Sequence, residues 1–395
     1  MKRLRNILLL SALTLLNVAC QSPTTNSQPN DAQTTTVSAQ DTMTTVSTED
    51  TDEAKADAEG ESTTKEGRSV TIRSIGDILI HDWVYDNAAT ADGYDFTPMF
   101  EPIKKYLENA DITTANLEVI AAGDTYPLST YPAFNAPSEI IDALKTVGVD
   151  IVNNATNHSM DLGAEGAYAS IEALKERDMP YVGSYESWDD YNNMRVLDAN
   201  GVKVGFLSYS YGANGNYIPE DQAYLLSLID TDLMPLEVEA LNKISDISVV
   251  MIHNGEEYDT LPSVYQANVN NVVRNAGANF ILGGHPHVPQ PFIVYNKHQA
   301  AMFSHGNFLS GQVEQENKVG GIAEYTFTEV DGGFEISKIR FMPTYCIGAQ
   351  FEDYYVVPLA DWEQYGIFNG DGLFADLEER MTYYSNLVEV VDYLD

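Results

Sequence analysis

The chain is short of positive charge. Its 395 residues carry 21 Lys and Arg against 59 Asp and Glu, a formal net charge of -38. Nucleic-acid binders hold phosphates with Lys and Arg, so this balance excludes that class of partner. It also excludes a polybasic membrane-surface protein. Cysteine is nearly missing: Cys20 and Cys346 are the only two. No disulfide framework can be built, and the fold must rest on its core. The apolar run at the N-terminus, Ile7 to Leu16, falls well short of the about 20 residues that cross a bilayer. Neither a P-loop nor a Gly-x-Ser-x-Gly elbow occurs. Aromatic residues are absent from Gln21 to Ser69.

What is present at the N-terminus reads as an address. Lys2, Arg3 and Arg5 precede the apolar run, and Asn17-Val18-Ala19-Cys20 follows it. This order is that of a secretory signal. Cys20 stands where a lipoprotein-type signal places its lipidated cysteine, so residues 1–20 are expected to leave a lipid anchor on the extracellular face of the cell membrane. Residues 21–69 are rich in Ser, Thr and acids. They lack the apolar surface that offsets ordering entropy, and are expected to form a disordered tether.

From Val70 the pattern changes. Residues 70–75 alternate like a strand. Residues 98–109 predict a helix and 111–115 a strand. Ser138 is placed to cap a helix running through Val147. A strand at 149–153, a helix at 162–177 and a short strand at 180–182 follow. Asn200-Gly201 marks a hairpin. Helices are predicted at 231–245 and 262–276, strands at 247–252 and 279–282. Strands dominate from His287 to about Phe341, and Gly372 to Leu394 reads as helical. Helices alternating with strands, then a run of strands, predict an α/β layered domain over 70–345. A Tyr- and acid-rich extension at 346–395 is expected to pack on it.

The informative feature is what ends each strand. Gly76-Asp77, Asn116-Leu117-Glu118, Asn153 to His158, His253 to Glu257 and Gly283 to His287 each carry polar, metal-competent residues. In α/β folds the loops at strand C-termini converge on one crevice. Six of the seven histidines, all but His298, lie at or just after a strand end. Asp, Glu, Asn and His brought to one point suit a divalent transition metal. His285 and His287, two residues apart after Gly-Gly, are the strongest local signal. His305 reads as structural. One of Glu256 and Glu257 is a weaker candidate.

In this order the blocks resemble the CapA family, associated with capsule and poly-γ-glutamate biosynthesis. The matching stretches include Gly76-Asp77, Asn116-Leu117-Glu118, Gly148 to Gly163, His253-x-Gly255-x-Glu257-Tyr258, Gly284 to Pro291 and Gly306-Asn307-Phe308. That family is related to calcineurin-like metallophosphatases. The resemblance implies an αββα sandwich with Asp77, Glu118, Asn157, His253, His285 and His287 as metal ligands. It implies one or two ions of Mn, Fe or Zn. His158 and His253 are the candidate proton carriers. The sequence departs from the metallophosphatase pattern in two places: Leu79 stands where a His is usual, and Glu118 where a bridging Asp is usual.

The implied function is a membrane-tethered protein of capsule synthesis or export, acting as a metal-dependent hydrolase of a phosphoester or amide. Its partners would be an anionic capsule polymer or its precursor, and other membrane proteins of capsule synthesis. The alternatives are a non-catalytic lipoprotein scaffold and a cation-bridged polymer-binding module. An adhesion or solute-binding module is disfavoured, since simple binding has no need of ordered His, Asp and Asn loops.

Overall fold

The computed structural model describes residues 67–395. The expected signal, Cys20 and nearly all of the 21–69 tether lie outside the described residues. In chain order the main elements begin with β1 (Ser69–Leu79), β2 (Ile112–Leu117), α1 (Glu139–Thr146), β3 (Ile151–Asn153), α2 (Gly163–Glu176) and β4 (Tyr181–Val182). The hairpin β5 (Arg195–Ala199) and β6 (Val202–Ser210) leads to α3 (Met234–Leu241), β7 (Ile247–His253), α4 (Val264–Asn275) and β8 (Phe280–Gly284). Then come β9 (Pro289–Asn296), β10 (Gln299–His305), β11 (Asn307–Ser310), β12 (Val319–Val330), β13 (Gly333–Ile347), β14 (Tyr355–Pro358), α5 (Gly370–Met381) and β15 (Glu389–Val390).

Two mixed sheets face each other. The first runs β14-β13-β12-β1-β2-β3-β4, with β11 on β1 and β15 on β13. The second runs β9-β10-β8-β7-β6-β5. Side chains alternate along β7 as a two-residue period demands. Ile247, Val249 and Met251 join the core between the sheets. Val250 and Ile252 point the other way, to Val238 and Leu241 of α3 and Val269 and Val273 of α4. Phe280 of β8 meets Tyr325 of β12 across the sandwich. Helices α1 and α2 cover the first sheet through Ile140, Leu144, Ile171 and Leu174. The result is the expected αββα sandwich.

Each sheet has a parallel half: β1, β2, β3 and β4 in one, β6, β7, β8 and β10 in the other. The C-terminal ends of these strands therefore open toward the same rim. Strand β1 runs four residues beyond the expected end at Ile75. Its pairing with β2 slips between Ile75 and Asp77, and Asp77 N donates to Gly306 O at 3.0 Å. A Cβ on Gly76 would lie 1.9 Å from that carbonyl oxygen, so only glycine permits the approach.

Four local expectations are corrected. The single helix over 98–109 is two short turns, Thr97–Phe100 and Lys105–Glu108; Pro102 lacks an N–H and disfavours helix in the residue before it. Ser138 occupies the N-cap position without a capping bond; its Oγ accepts from Arg177 Nη2 at 2.9 Å. The 231–245 helix shrinks to α3, with Pro235 in its first turn. The 372–394 helix ends at Met381, because Val388 and Leu394 are buried in the main core and an extended strand at the sheet edge reaches it. The Asn200-Gly201 hairpin forms as expected, with φ of 58° and 75°, positive at both turn residues as a type I′ turn requires.

Candidate metal centre

The rim carries the expected residues together. Asp77 lies near the end of β1, Glu118 one residue past β2, and Asn157 and His158 in the loop after β3. His253 ends β7, and His285 and His287 follow β8. All seven are buried. Donor atoms of Glu118, His253 and His285 lie within 4.8 Å of one another, and so do those of Asp77, Glu118 and His287. Glu118 is common to both groups.

The hydrogen bonds say which of these atoms are satisfied. Asn116 Nδ2 donates to Asp77 Oδ1 at 2.6 Å. Asn153 Nδ2 donates to Asn116 Oδ1 at 2.6 Å, and Ser208 Oγ donates to Asn153 Oδ1. This relay starts on β6 in the second sheet and ends on Asp77 in the first, so it fixes the carboxylate across the sandwich. His287 Nδ1 lies 3.0 Å from Asp77 Oδ2 and 3.1 Å from Asn307 Oδ1. His253 Nε2 lies 2.7 Å from Asn157 Oδ1 and 3.2 Å from Glu118 Oε1. Yet neither oxygen of Glu118 has a hydrogen-bond partner, and neither does His285 Nδ1. A fully buried carboxylate without a donor is costly. Glu118 and His285 also each offer a donor atom to one group within 4.8 Å, which is what a divalent cation would satisfy.

Electrostatics sort the group into charged and neutral members. Burial pushes the Glu118 carboxyl well above the usual carboxylate range, and the charge of Asp77 pushes it further. Burial also opposes ionisation of Asp77, but the hydrogen bond and charge of His287 prevail and hold it at about 2. His287 is the reverse case: burial pulls it down, while Glu118 and Asp77 outweigh that and raise it to about 9. Burial lowers His253 to about 3 and His285 to about 2. Both imidazoles are thus neutral and able to ligate.

The backbone is shaped for this. His285 has φ of 97° and His287 of 59°, a conformation non-glycine residues rarely hold except where the surroundings impose it. Gly284 before them packs against the site: a Cβ there would lie 2.9 Å from Asp77 Oδ1 and 2.9 Å from Asn116 Nδ2. Two tyrosines flank the rim. Tyr211 stands 4.6 Å from the His285 ring, and Tyr258 stands 6.2 Å from the His287 ring.

His158 is set apart from both donor groups. Its Nδ1 lies 2.7 Å from Asp161 Oδ2, and its ring meets Phe134 edge to face at 4.7 Å. His305 takes a structural position: Nε2 meets Ser74 Oγ at 2.6 Å and Nδ1 meets Gly283 O at 2.9 Å. Glu256 and Glu257 are exposed and belong to neither donor group. Leu79, in place of the usual His, is buried in the core. Sequence reasoning marked Asn153 at a polar strand end without giving it a role, and missed Ser208 and Asn214, whose Oδ1 accepts from Asn157 Nδ2 at 3.2 Å. Asn153 was legible as a polar residue closing an apolar strand. Ser208 and Asn214 reach the site only through the pairing of β6, which no local pattern announces.

The family model described as bacterial capsule synthesis protein PGA_cap matches residues 71–312. The capsule biosynthesis protein CapA of Bacillus anthracis is 31% identical over 269 residues, 66% of this chain and 64% of that relative. The match thus spans just under two thirds of that relative's length. The PGA biosynthesis protein CapA of Bacillus subtilis is 25% identical over 272 residues, 67% of this chain and 70% of the relative. Among solved structures, a calcineurin-like phosphoesterase, YfkN of Bacillus subtilis, aligns with a TM-score of 0.42 at 16% identity. It covers 70% of this chain and 90% of that one. A phosphatase from Mycoplasma pneumoniae aligns with a TM-score of 0.44 at 13% identity, over 70% and 94% of the two chains.

Proposed function

The chain belongs to the family of bacterial capsule synthesis proteins, and on that premise we propose that it is a metal-dependent hydrolase. It acts on a phosphoester or amide in the making or export of an anionic capsule polymer such as poly-γ-glutamate. It works at the extracellular face of the cell membrane, held there by a lipid on Cys20 and the 21–69 tether. The observation that supports catalysis most is Glu118, shared by two donor groups, with both oxygens buried and unpartnered.

In this reading Asp77, Glu118, Asn157, His253, His285 and His287 hold one or two divalent ions. The bound metal would supply a Lewis acid and lower the pKa of a water. The protein's own part is to orient and to move protons. The Ser208–Asn153–Asn116 relay keeps Asp77 aimed at the site. Asp161 holds Nδ1 of His158, which leaves Nε2 to carry a proton to the departing group. His158 suits that task better than His253, which burial keeps neutral and whose Nε2 is already turned to Asn157 and Glu118.

The test is turnover of p-nitrophenyl phosphoesters and γ-glutamyl amides by the metal-loaded protein, beside His285→Ala with His287→Ala and His158→Asn. The double variant is expected to lose activity and metal together. His158→Asn is expected to keep its metal and lose about 10²–10⁴-fold in rate, the usual worth of a general acid. No turnover by metal-loaded, folded protein would refute the hydrolase reading. The net charge of -38 favours one other reading, binding of the polymer through bridging cations. It requires polymer binding that rises with divalent cation and survives His158→Asn.

A further inference from the structure

Beside the metal centre lies a cavity of about 590 Å³. Trp83, Tyr131 and Tyr258 form its apolar wall, and Asp82 and Glu314 are its charged residues. Neither Lys nor Arg is among the described residues that line it. Tyr131 is 74% exposed and Tyr258 50%, so these rings are accessible to whatever enters.

The cavity and the centre share a wall. Tyr258, on the cavity, stands against the His287 ring, and its N–H donates to Pro286 O at 2.8 Å. Asn317, another wall residue, accepts from Asn307 Nδ2 at 2.9 Å, and Asn307 Oδ1 lies 3.1 Å from His287 Nδ1. His81 lines the cavity too, and meets Phe134 at 5.1 Å, the ring on which His158 rests. The cavity therefore adjoins the centre through Tyr258, Asn317 and His81.

The chemistry of the wall selects what enters the cavity. Two carboxylates without a basic residue repel an anion, so the side-chain carboxylates of an acidic polymer are excluded. Aromatic faces together with carboxylates attract a positive charge on an apolar stem. We propose that this cavity is the subsite for an organic ammonium group carried by the substrate. The centre then acts on a molecule whose reacting bond joins an acyl or phosphoryl group to an amine-bearing part, not on a run of carboxylates. This rests on the hydrolase reading for what the centre does, and on the cavity alone for what it binds.

The experiment separates the two. Calorimetric titrations of the full chain with hexylammonium, hexanol and hexanoate compare one stem with three head groups, in chelator and without substrate. Hexylammonium is expected to bind, hexanol more weakly and hexanoate not at all. Asp82→Asn with Glu314→Gln is expected to weaken hexylammonium about five- to tenfold, the worth of two solvent-accessible ion pairs, one half-buried and one exposed, and leave hexanol unchanged. Glu314→Lys is expected to reverse the preference toward hexanoate. Hexanoate binding as tightly as hexylammonium, or ammonium binding indifferent to these variants, would overturn the proposal. Ammonium binding retained by a protein that never turns over substrate would strike the hydrolase reading only. Metal-dependent turnover without ammonium preference would strike the cavity proposal only.

Discussion

Glu118 is the residue on which the site turns. Its carboxyl is fully buried with no hydrogen-bond partner for either oxygen, an arrangement that costs the metal-free fold and that a bound cation would relieve. Glu118→Gln removes the ionisable group that burial and Asp77 disfavour and keeps the shape. Urea unfolding in chelator is expected to show this variant at least as stable as the parent, because the amide cannot ionise and its NH2 can donate to Asp77. With metal the order should reverse, since ligand binding to the folded state adds stability only to the parent. A variant less stable than the parent in chelator would mean that Glu118 is satisfied in some other way. The residue was legible in the sequence as an acid closing an apolar strand. Its shared position between two donor groups was not, because that depends on β2 and β8 lying in different sheets.

At the scale of elements, strands were legible where they were long and apolar, and helices where they were uninterrupted. Strand β7 and helices α2 and α4 appear within a residue or two of their expected ends. Errors gathered at prolines inside expected helices, Pro102 and Pro235, and where tertiary packing overrode local preference, as at Val388 and Leu394. Helix α4 was expected to start at Pro262, but the structure adds a capping box. Ser263 Oγ accepts from Gln266 N at 3.2 Å, and Ser263 N donates to Gln266 Oε1 at 2.9 Å. Gln266 Nε2 goes on to Gln290 Oε1 at 2.8 Å, so this cap also anchors β9. Ser263→Ala is expected to cost about 1 kcal/mol in denaturant unfolding. It should leave metal binding intact, because none of the donors touches this helix end. A loss of metal in that variant would mean that the cap positions the centre.

At the scale of the whole molecule, two packed sheets without disulfides bury many tyrosines. Burial pushes the hydroxyls of Tyr209 and Tyr325 well above their ordinary value, and that of Tyr185 to about 12. The unfolded chain loses these protons near pH 10, while the folded one keeps them. The folded state then binds more protons than the unfolded, so stability must fall as pH rises above about 10. Denaturant unfolding at rising pH is expected to show this decline, and Tyr209→Phe with Tyr325→Phe is expected to flatten it. An unchanged slope would place those phenols in a more polar setting than the sandwich provides.

The same sandwich is what brings the donors together. Asp77, Glu118 and Asn157 come from the first sheet, and His253, His285 and His287 from the second. The sequence showed a polar residue at each strand end, but the two half-sites become one only when the sheets close. In a molecule of net charge -38, nonspecific cation attraction is general, so the decisive quantity is site-specific binding. The measurement is metal content of the purified, dialysed full chain by mass spectrometry, parent beside Glu118→Gln. The account predicts one or two equivalents of a divalent transition metal in the parent, since Glu118 belongs to both donor groups, and a loss of bound metal in the variant. Equal metal content in the two proteins, or none in the folded parent, would contradict it.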